Sequence, residues 1–275
     1  MEDFSKKLKD AELLATRSGG SRRDFMQLAI MTGLSVSAAS AMFSKAEAAE
    51  TPKKGGTFRI GMEGGSATDS LDPRTYADSV MIAASLAVYD SMIEFDNAGN
   101  PTGALLESWE ARPGAVEWIF NVRQGIKFSN GKTLDADDVL YSIGIHRGED
   151  TKSPAKGILE QIIDIKAVTP SQISITLSSG NADFPVILGD YHLIVVPNGF
   201  TDWENPVGTG AYNLASFEPG VRLVFENRGD YWIEGRANFD RVELLNIQDV
   251  AARTAALQSG QVDAVNRLDA RTVDL

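Results

Sequence analysis

Runs in which every second residue is apolar recur at separated places in this chain and are interleaved with helical stretches, and that combination constrains the fold most. Thr57 to Met62 alternates as a first strand. Trp118, Phe120 and Val122 alternate on another, Ile173, Ile175 and Leu177 on a third, and Val221, Leu223 and Phe225 on a fourth, with a further strand at Arg241 to Ile247. Between them lie three predicted helices. Asp78 to Tyr89 is apolar all round, as in a helix buried against a sheet. A second starts at Asp135, whose side chain can cap with Asp138 three residues on, and turns Val139, Leu140 and Ile143 inward. The third runs from an Asp249 cap to a Gly260 stop, with Val250, Thr254 and Leu257 on one side. Hairpins mixed with crossovers predict an α/β or mixed α+β fold.

Composition removes several function classes. The 275 residues contain no cysteine, which excludes a disulfide scaffold, a Cys-ligated zinc site, an iron–sulfur cluster, a thiol nucleophile and a lipid anchor on an N-terminal cysteine. The 26 Lys and Arg against 38 Asp and Glu leave a net charge of −12, which argues against non-specific binding to nucleic acid or to an anionic membrane.

The first 48 residues read as an export leader. Arg22 and Arg23 precede Phe25 and a weakly apolar run from Met26 to Phe43, and Ala46 and Ala48 offer the small residues a signal peptidase reads. The Ser-Arg-Arg-x-Phe pattern resembles a twin-arginine signal. Thr32, Gly33, Ser35, Ser37 and Ser40 dilute the run too far for a membrane span. A soluble periplasmic protein, delivered by the twin-arginine export machinery, is the expectation.

Templates for catalysis are missing. There is no G-x-S-x-G, no H-E-x-x-H and no G-x-G-x-x-G after a strand. Gly125 to Thr133 has five residues between its glycines where a phosphate loop needs four, and Ser129-Asn130-Gly131 reads as a β-turn. Asp137 and Asp138 are neighbours on a helix and cannot face each other, so they read as charges favouring its N-terminus. His146 and His192 are the only histidines and are too far apart in sequence to suggest a metal site. Each is expected at the surface or in a hydrogen bond, with His192 beside Tyr191 as a candidate lining of a cleft. No enzyme activity and no cofactor is expected. Two glycine-containing loops look built to hold a ligand. The first spans Gly61 to Pro73, where Glu63, Gly64, Gly65, Ser66 and Thr68 combine backbone access with hydroxyls. The second is Val207, Gly208, Thr209 and Gly210. If both grip one solute, they must share a hollow.

These segments, in this order, resemble the family 5 extracellular solute-binding proteins of ABC importers, the dipeptide-, oligopeptide- and nickel-binding group. The resemblance runs through Gly55–Gly61 (GGTFRIG) with Ser70–Pro73 (SLDP), Tyr89–Ile143, Asn205–Trp232 and Phe239–Val265. It implies a periplasmic binding protein fold of type II, in which two lobes enclose a polar solute, a peptide being favoured, and hand it to an ABC permease in the inner membrane. The implied organisation is a signal at 1–48, the first lobe at 49–90 and 188–275, and an inserted hairpin-rich subdomain at 91–187. Family members are about twice this length, so the second lobe is expected to be absent here and the chain alone to bind weakly. The nominated ligand residues are Glu63, Gly64, Gly65, Ser66, Thr68 and Val207 to Gly210, with Tyr191 and His192 as weaker candidates. The stretch 190–205 departs from the peptide-binder wording and leaves the solute open. A nickel or metal-chelate binder, an oligosaccharide binder, a sensor without a transporter and an exported hydrolase are the competing readings.

Overall fold

Eleven strands and six helical segments build the part of the chain that the computed structural model describes, residues 52–269 and 271. Arg22, Arg23, Ala46 and Ala48, and the export reading built on them, lie outside the described residues. In chain order the first half comprises β1 (Thr57–Met62), a 3-10 turn (Pro73–Thr75), α1 (Ser79–Val88), β2 (Ile93–Phe95), β3 (Pro101–Gly103), β4 (Leu106–Ala111), β5 (Glu117–Val122) and α2 (Ala136–Gly144). There follow α3 (Lys156–Leu159), β6 (Ile162–Thr169), β7 (Gln172–Leu177), α4 (Phe184–Ile187), β8 (Tyr212–Glu218), β9 (Arg222–Asn227), β10 (Arg241–Asn246), α5 (Val250–Gln258) and β11 (Ala264–Val265). No helix among the described residues is long and apolar enough to cross a membrane.

Two larger sheets result. A mixed sheet has the order β11-β1-β10-β9-β8, with β1 parallel to both β10 and β11 and the remaining pairs antiparallel. An antiparallel sheet has the order β4-β5-β7-β6. Each has its own core. Phe120, Val122, Ile173, Ile175, Val139, Ile143 and Phe184 fill the one behind the antiparallel sheet. Met81, Ala84 and Val88 of α1 pack with Leu223, Phe225 and Leu244 in the other. The run Leu193 to Val196 divides the two. Leu193 and Val195 belong to the first core and Ile194 and Val196 to the second, as an extended chain that points successive side chains to opposite faces must do.

Asp90 pins this partition. Its backbone carbonyl accepts from Val195 N (3.2 Å), and its buried carboxylate accepts from Tyr231 Oη (2.8 Å) and Trp232 Nε1 (2.7 Å). Tyr231 packs against one core and Trp232 against the other. Burial raises the Asp90 carboxyl above its ordinary pKa, while the bonds from Trp232 and Tyr231 pull it back.

Local signals explain the elements. Asp78 caps α1 through Val80 N and Met81 N. Asp135 and Asp138 form the expected reciprocal capping box. The turn at 128–132 closes by Gly131 N to Phe128 O (2.9 Å) and Phe128 N to Lys132 O (2.9 Å), with Gly131 at φ 86, so this segment is a hairpin and no phosphate loop. Several faces differ from expectation. Asp138 is fully buried and no mere helix-end charge: Lys132 Nζ, Asp135 N and Asn198 N all donate to it. Leu86 of α1 is 53% exposed, so that helix is not apolar-packed all round. Val221 is 55% exposed in the β8–β9 turn, where Val221 N closes on Glu218 O and the residue stands outside the ladder. On α5 the buried residues are Arg253 and Ala256, in place of the Val250, Thr254 and Leu257 face.

Both histidines are interior. His146 is completely buried, with Nδ1 2.6 Å from Ser153 Oγ and no partner for Nε2. His192 Nδ1 lies 2.7 Å from Asp190 Oδ1, and Nε2 lies 3.1 Å from Tyr76 O.

Asp90→Ala strands the Tyr231 hydroxyl and the Trp232 indole N–H and should cost about 3 kcal/mol in urea unfolding. Asp90→Asn should cost about 1 kcal/mol, because an amide oxygen can serve the indole while the tyrosine hydroxyl reverses to accept. The opposite ranking would remove Asp90 from this role. Burial, with a smaller contribution from His192, lowers His146 from 6.5 to about 4. The folded state therefore binds fewer protons than the unfolded state between those values, and stability is lost as pH falls through the window. The loss approaches about 3 kcal/mol. A pH series of melts should show this acid loss in the parent, and His146→Gln should flatten it; equal slopes would refute it.

Candidate functional site

The parallel strands set where a ligand can meet this sheet. β10, α5 and β11 form a crossover unit with β1 inserted between its two strands. The carboxyl ends of β11, β1 and β10 therefore open together, which is where open α/β sheets hold ligands. The loop following β1 emerges there.

Its glycines are held by the end of β10. Gly65 N donates to Asn246 Oδ1 (3.3 Å), and the Asn246 amide returns a bond to Gly65 O (3.1 Å) while also reaching Gly220 O (2.6 Å). Gln248 accepts from Gly64 N (3.4 Å) and donates to Gly65 O (3.0 Å). A Cβ on Gly65 would lie 2.8 Å from the Asn246 side chain, and Gly64 takes φ 109, so glycine is required at both positions. Beyond them Ser66 and Thr68 are exposed, their hydroxyls 3.0 Å apart, and Asp69 accepts from Ser66 N (2.7 Å). Burial, and the nearby Asp78, raise the Asp69 carboxyl above its usual pKa against the bond from Ser66. Past the end of the loop lies a hollow of about 570 Å³, walled by Asp69, Leu71, Trp203, Asn205, Leu214 and Phe217; Glu63, Gly64, Gly65, Ser66 and Thr68 are not in its wall. Its walls combine apolar and aromatic surface with carboxylate and amide groups, a lining suited to a polar solute with some apolar area.

Glu63 is committed to protein partners. Its carboxylate meets Arg253 Nη2 at 3.0 Å and Arg267 Nη1 at 2.6 Å. Sequence reasoning missed Asn246, Gln248, Arg253 and Asn266 as the frame of this loop. Two polar residues at the end of a strand, just before the Asp249 cap, were a usable signal for the first two; an arginine among alanines on α5 reads as solvated and offered none.

The second nominated loop does not share the hollow. Gly208 and Gly210 are pressed on the carboxyl end of α1, where an added Cβ would sit 2.0 Å from Val88 O and 2.5 Å from Val88 C, respectively. Gly64 instead abuts Asp78, the cap at the other end of the same helix. Ten residues of helix separate the two contacts by about 15 Å. Thr209 is buried, and Val207 packs against the core behind the antiparallel sheet. This loop is a wedge that locks α1, and the expectation of one shared hollow is corrected accordingly. His192 is likewise sealed in packing and lines no cleft. Tyr191, whose ring centroid lies 4.1 Å from that of His192 at a tilt of 32°, borders a different hollow of about 430 Å³ with Asp90, Glu94, Tyr231 and Arg236.

The His146–Ser153 contact is half of a hydrolytic arrangement, but both side chains are closed to solvent (0% and 5%), and the carboxylate of Asp190 bonds to His192. No substrate carbonyl can approach that serine. Among the described residues no three His, Asp or Glu side chains gather as metal ligands.

Residues 100–275 match the family described as bacterial extracellular solute-binding proteins, family 5 Middle. Over 201 residues the chain is 26% identical to the nickel-binding periplasmic protein of Escherichia coli K12, covering 70% of this chain and 38% of that protein. It is 25% identical over 227 residues to the periplasmic oligopeptide-binding protein OppA of the same organism, covering 74% and 42%. Among solved structures, the ABC transporter-associated periplasmic binding protein DppA from Helicobacter pylori, in complex with a peptide, superposes with a TM-score of 0.71 at 23% identity, over 81% of this chain and 48% of that one. The nickel ABC transporter protein from Bacillus halodurans gives 0.69 at 26%, over 81% and 45%. The chain spans less than half the length of these relatives, and its fold is that of the periplasmic binding proteins. It belongs to family 5 of the bacterial extracellular solute-binding proteins.

Proposed function

We propose that this chain supplies the first lobe of a periplasmic solute-binding component of an ABC import system, with 91–187 as its inserted subdomain. The lobe captures a peptide or similar polar solute and, once the solute is enclosed, presents it to the membrane permease. The leader with Arg22 and Arg23 would direct export by the twin-arginine route. The observation that carries the reading is the Glu63–Asp69 loop, fastened by Asn246 and Gln248 at the carboxyl ends of three parallel strands, with its last residue, Asp69, in the wall of an open hollow.

Capture in this scheme is an exchange of solvation. A rigid loop with exposed hydroxyls and backbone groups replaces water around the solute, and preorganisation lowers the ordering cost of doing so. Closure follows to the extent that solute binds the closed state better than the open one. No step needs a nucleophile or an electron carrier. Peptide is favoured over nickel because both imidazoles are buried in packing, which leaves few soft or imidazole ligands for the metal.

One lobe alone is expected to bind weakly, so the test uses amide chemical shifts at millimolar solute. Tripeptides should move the resonances of Gly64 to Asp69 and leave Gly208 to Gly210 in place. Movement with a nickel chelate or a sugar acid, and none with peptides, would reassign the solute. Stillness with all three, or micromolar binding by calorimetry to the 275-residue chain, would overturn the two-lobe proposal.

A further inference from the structure

We propose that Arg253 is the positioning residue of the candidate site: its guanidinium clamps the Asn266–Arg267 segment onto the loop that begins at Glu63, so that loop and segment move together. The purpose of the clamp rests on the solute-binding reading above; its geometry does not.

Arg253 is 1% exposed, although it lies on a helix whose flanking Ala251, Ala252 and Ala255 are exposed. Every N–H of its guanidinium is used. Nε donates to Asn266 O (3.3 Å), Nη1 to Ile247 O (2.7 Å) and Gln248 O (2.8 Å), and Nη2 to Glu63 Oε2 (3.0 Å) and Arg267 O (3.3 Å). Four of these acceptors are backbone carbonyls just past the ends of β10 and β11, and the fifth is the carboxylate at the end of β1. One planar fork thus joins the exits of all three parallel strands. A lysine, with three donors on a single atom, cannot span them.

A second layer ties the same segments. Asn266 Oδ1 accepts from Glu63 N (3.1 Å), Asn266 Nδ2 donates to Ser79 Oγ (2.9 Å), and Ser79 Oγ donates to Glu63 O (2.9 Å). Asn266 N donates to Gly61 O (3.1 Å). Glu63 is therefore held at its amide, its carbonyl and its carboxylate by residues remote in sequence. Arg267 adopts φ 48, a left-handed conformation unfavourable for a residue with a side chain, while its carbonyl is gripped by Arg253. If the loop moved and the segment stayed, a buried guanidinium would lose its only carboxylate, which a dry site penalises strongly. Moving both as a unit keeps every bond. In the proposed receptor, solute resting on Gly64–Thr68 would then be felt directly by the stretch that follows β11. The Arg267 guanidinium also meets Glu63, but its side chain is 74% exposed, and such a pair contributes little.

Hydrogen–deuterium exchange on the 275-residue chain tests this through the amides of Glu63–Gly65 and of Asn266. Arg253→Lys should speed exchange at both places by about tenfold or more with β5 and β7 unchanged, since all five fork bonds are at stake. Glu63→Gln should loosen the same two places by less, and Arg267→Ala should change neither more than about threefold. Loosening of only one place, or of none, overturns the clamp. A uniform rise that includes β5 and β7 assigns Arg253 a purely structural role and overturns it as well. Should Arg253→Lys fail to fold, Glu63→Gln decides by the same criterion. A tripeptide mixture at millimolar concentration should slow exchange at both places in the parent and only at Glu63–Gly65 in Arg253→Lys; protection confined to the loop in the parent overturns the coupling. If peptides protect nothing while the variants behave as expected, the clamp stands and the solute reading fails.

Discussion

The buried Asp90 carboxylate and the Leu193–Val196 run beside it are the seam on which the rest of the structure depends. An extended segment facing two cores at once has no solvent side, so its backbone groups need partners from neighbouring elements. Asp90 O receives Val195 N, Ser142 Oγ receives Val196 N at 2.9 Å, and Ser91 bridges Ile194. The Asp90 side chain then draws Tyr231 from one core and Trp232 from the other to a single point. Holding a carboxylate that is largely withdrawn from water is costly, and the two bonds it accepts from Tyr231 and Trp232 offset that cost. The Val207–Gly210 wedge fits the same seam: its glycines let the backbone lie against Val88, and Gly210 N bonds Val88 O at 2.9 Å.

With α1 fixed at that end, its opposite end is fixed as well. Asp78 caps the helix and abuts Gly64, so rigidity reaches from the seam to the candidate site through one helix of ten residues. The site itself is made by topology. Three strands that leave the sheet in one direction bring Asn266 within bonding distance of Glu63 and Asn246 within bonding distance of Gly65, although they come from distant parts of the sequence. Polar side chains at those strand ends satisfy one another and leave Ser66 and Thr68 outward. The chain thereby separates what supports the loop from what the loop can offer to a solute.

Much of the local structure was legible in the residues. Asp135 and Asp138 announce a capping box, Asp78 and Asp249 announce helix starts, and Ser129-Asn130-Gly131 announces a turn; each depends on chemistry within three or four positions. The site was legible by half. Gly64 and Gly65 stood out because tight turns ask for glycine, whereas the role of Glu63 depended on Arg253 and Arg267, close to two hundred positions away. Gly208 and Gly210 gave the same signal as Gly64 and Gly65, since glycine permits close approach to a helix carbonyl as readily as to a ligand.

The sequence by itself determined the mixture of strands and helices, the starts of the three longer helices, the absence of thiol chemistry and the family, because these depend on local patterning, composition and ordered motifs; the short helices at Lys156–Leu159 and Phe184–Ile187, which have no side-chain cap, were not among them. Only the tertiary structure decided which loop faces a hollow, that both histidines are interior, and that an arginine on a polar-looking helix is the most enclosed charge of the site. Those properties belong to pairs of residues far apart in the chain. Whether a charged or polar side chain is buried is settled by the partners that folding brings to it, which no local window contains.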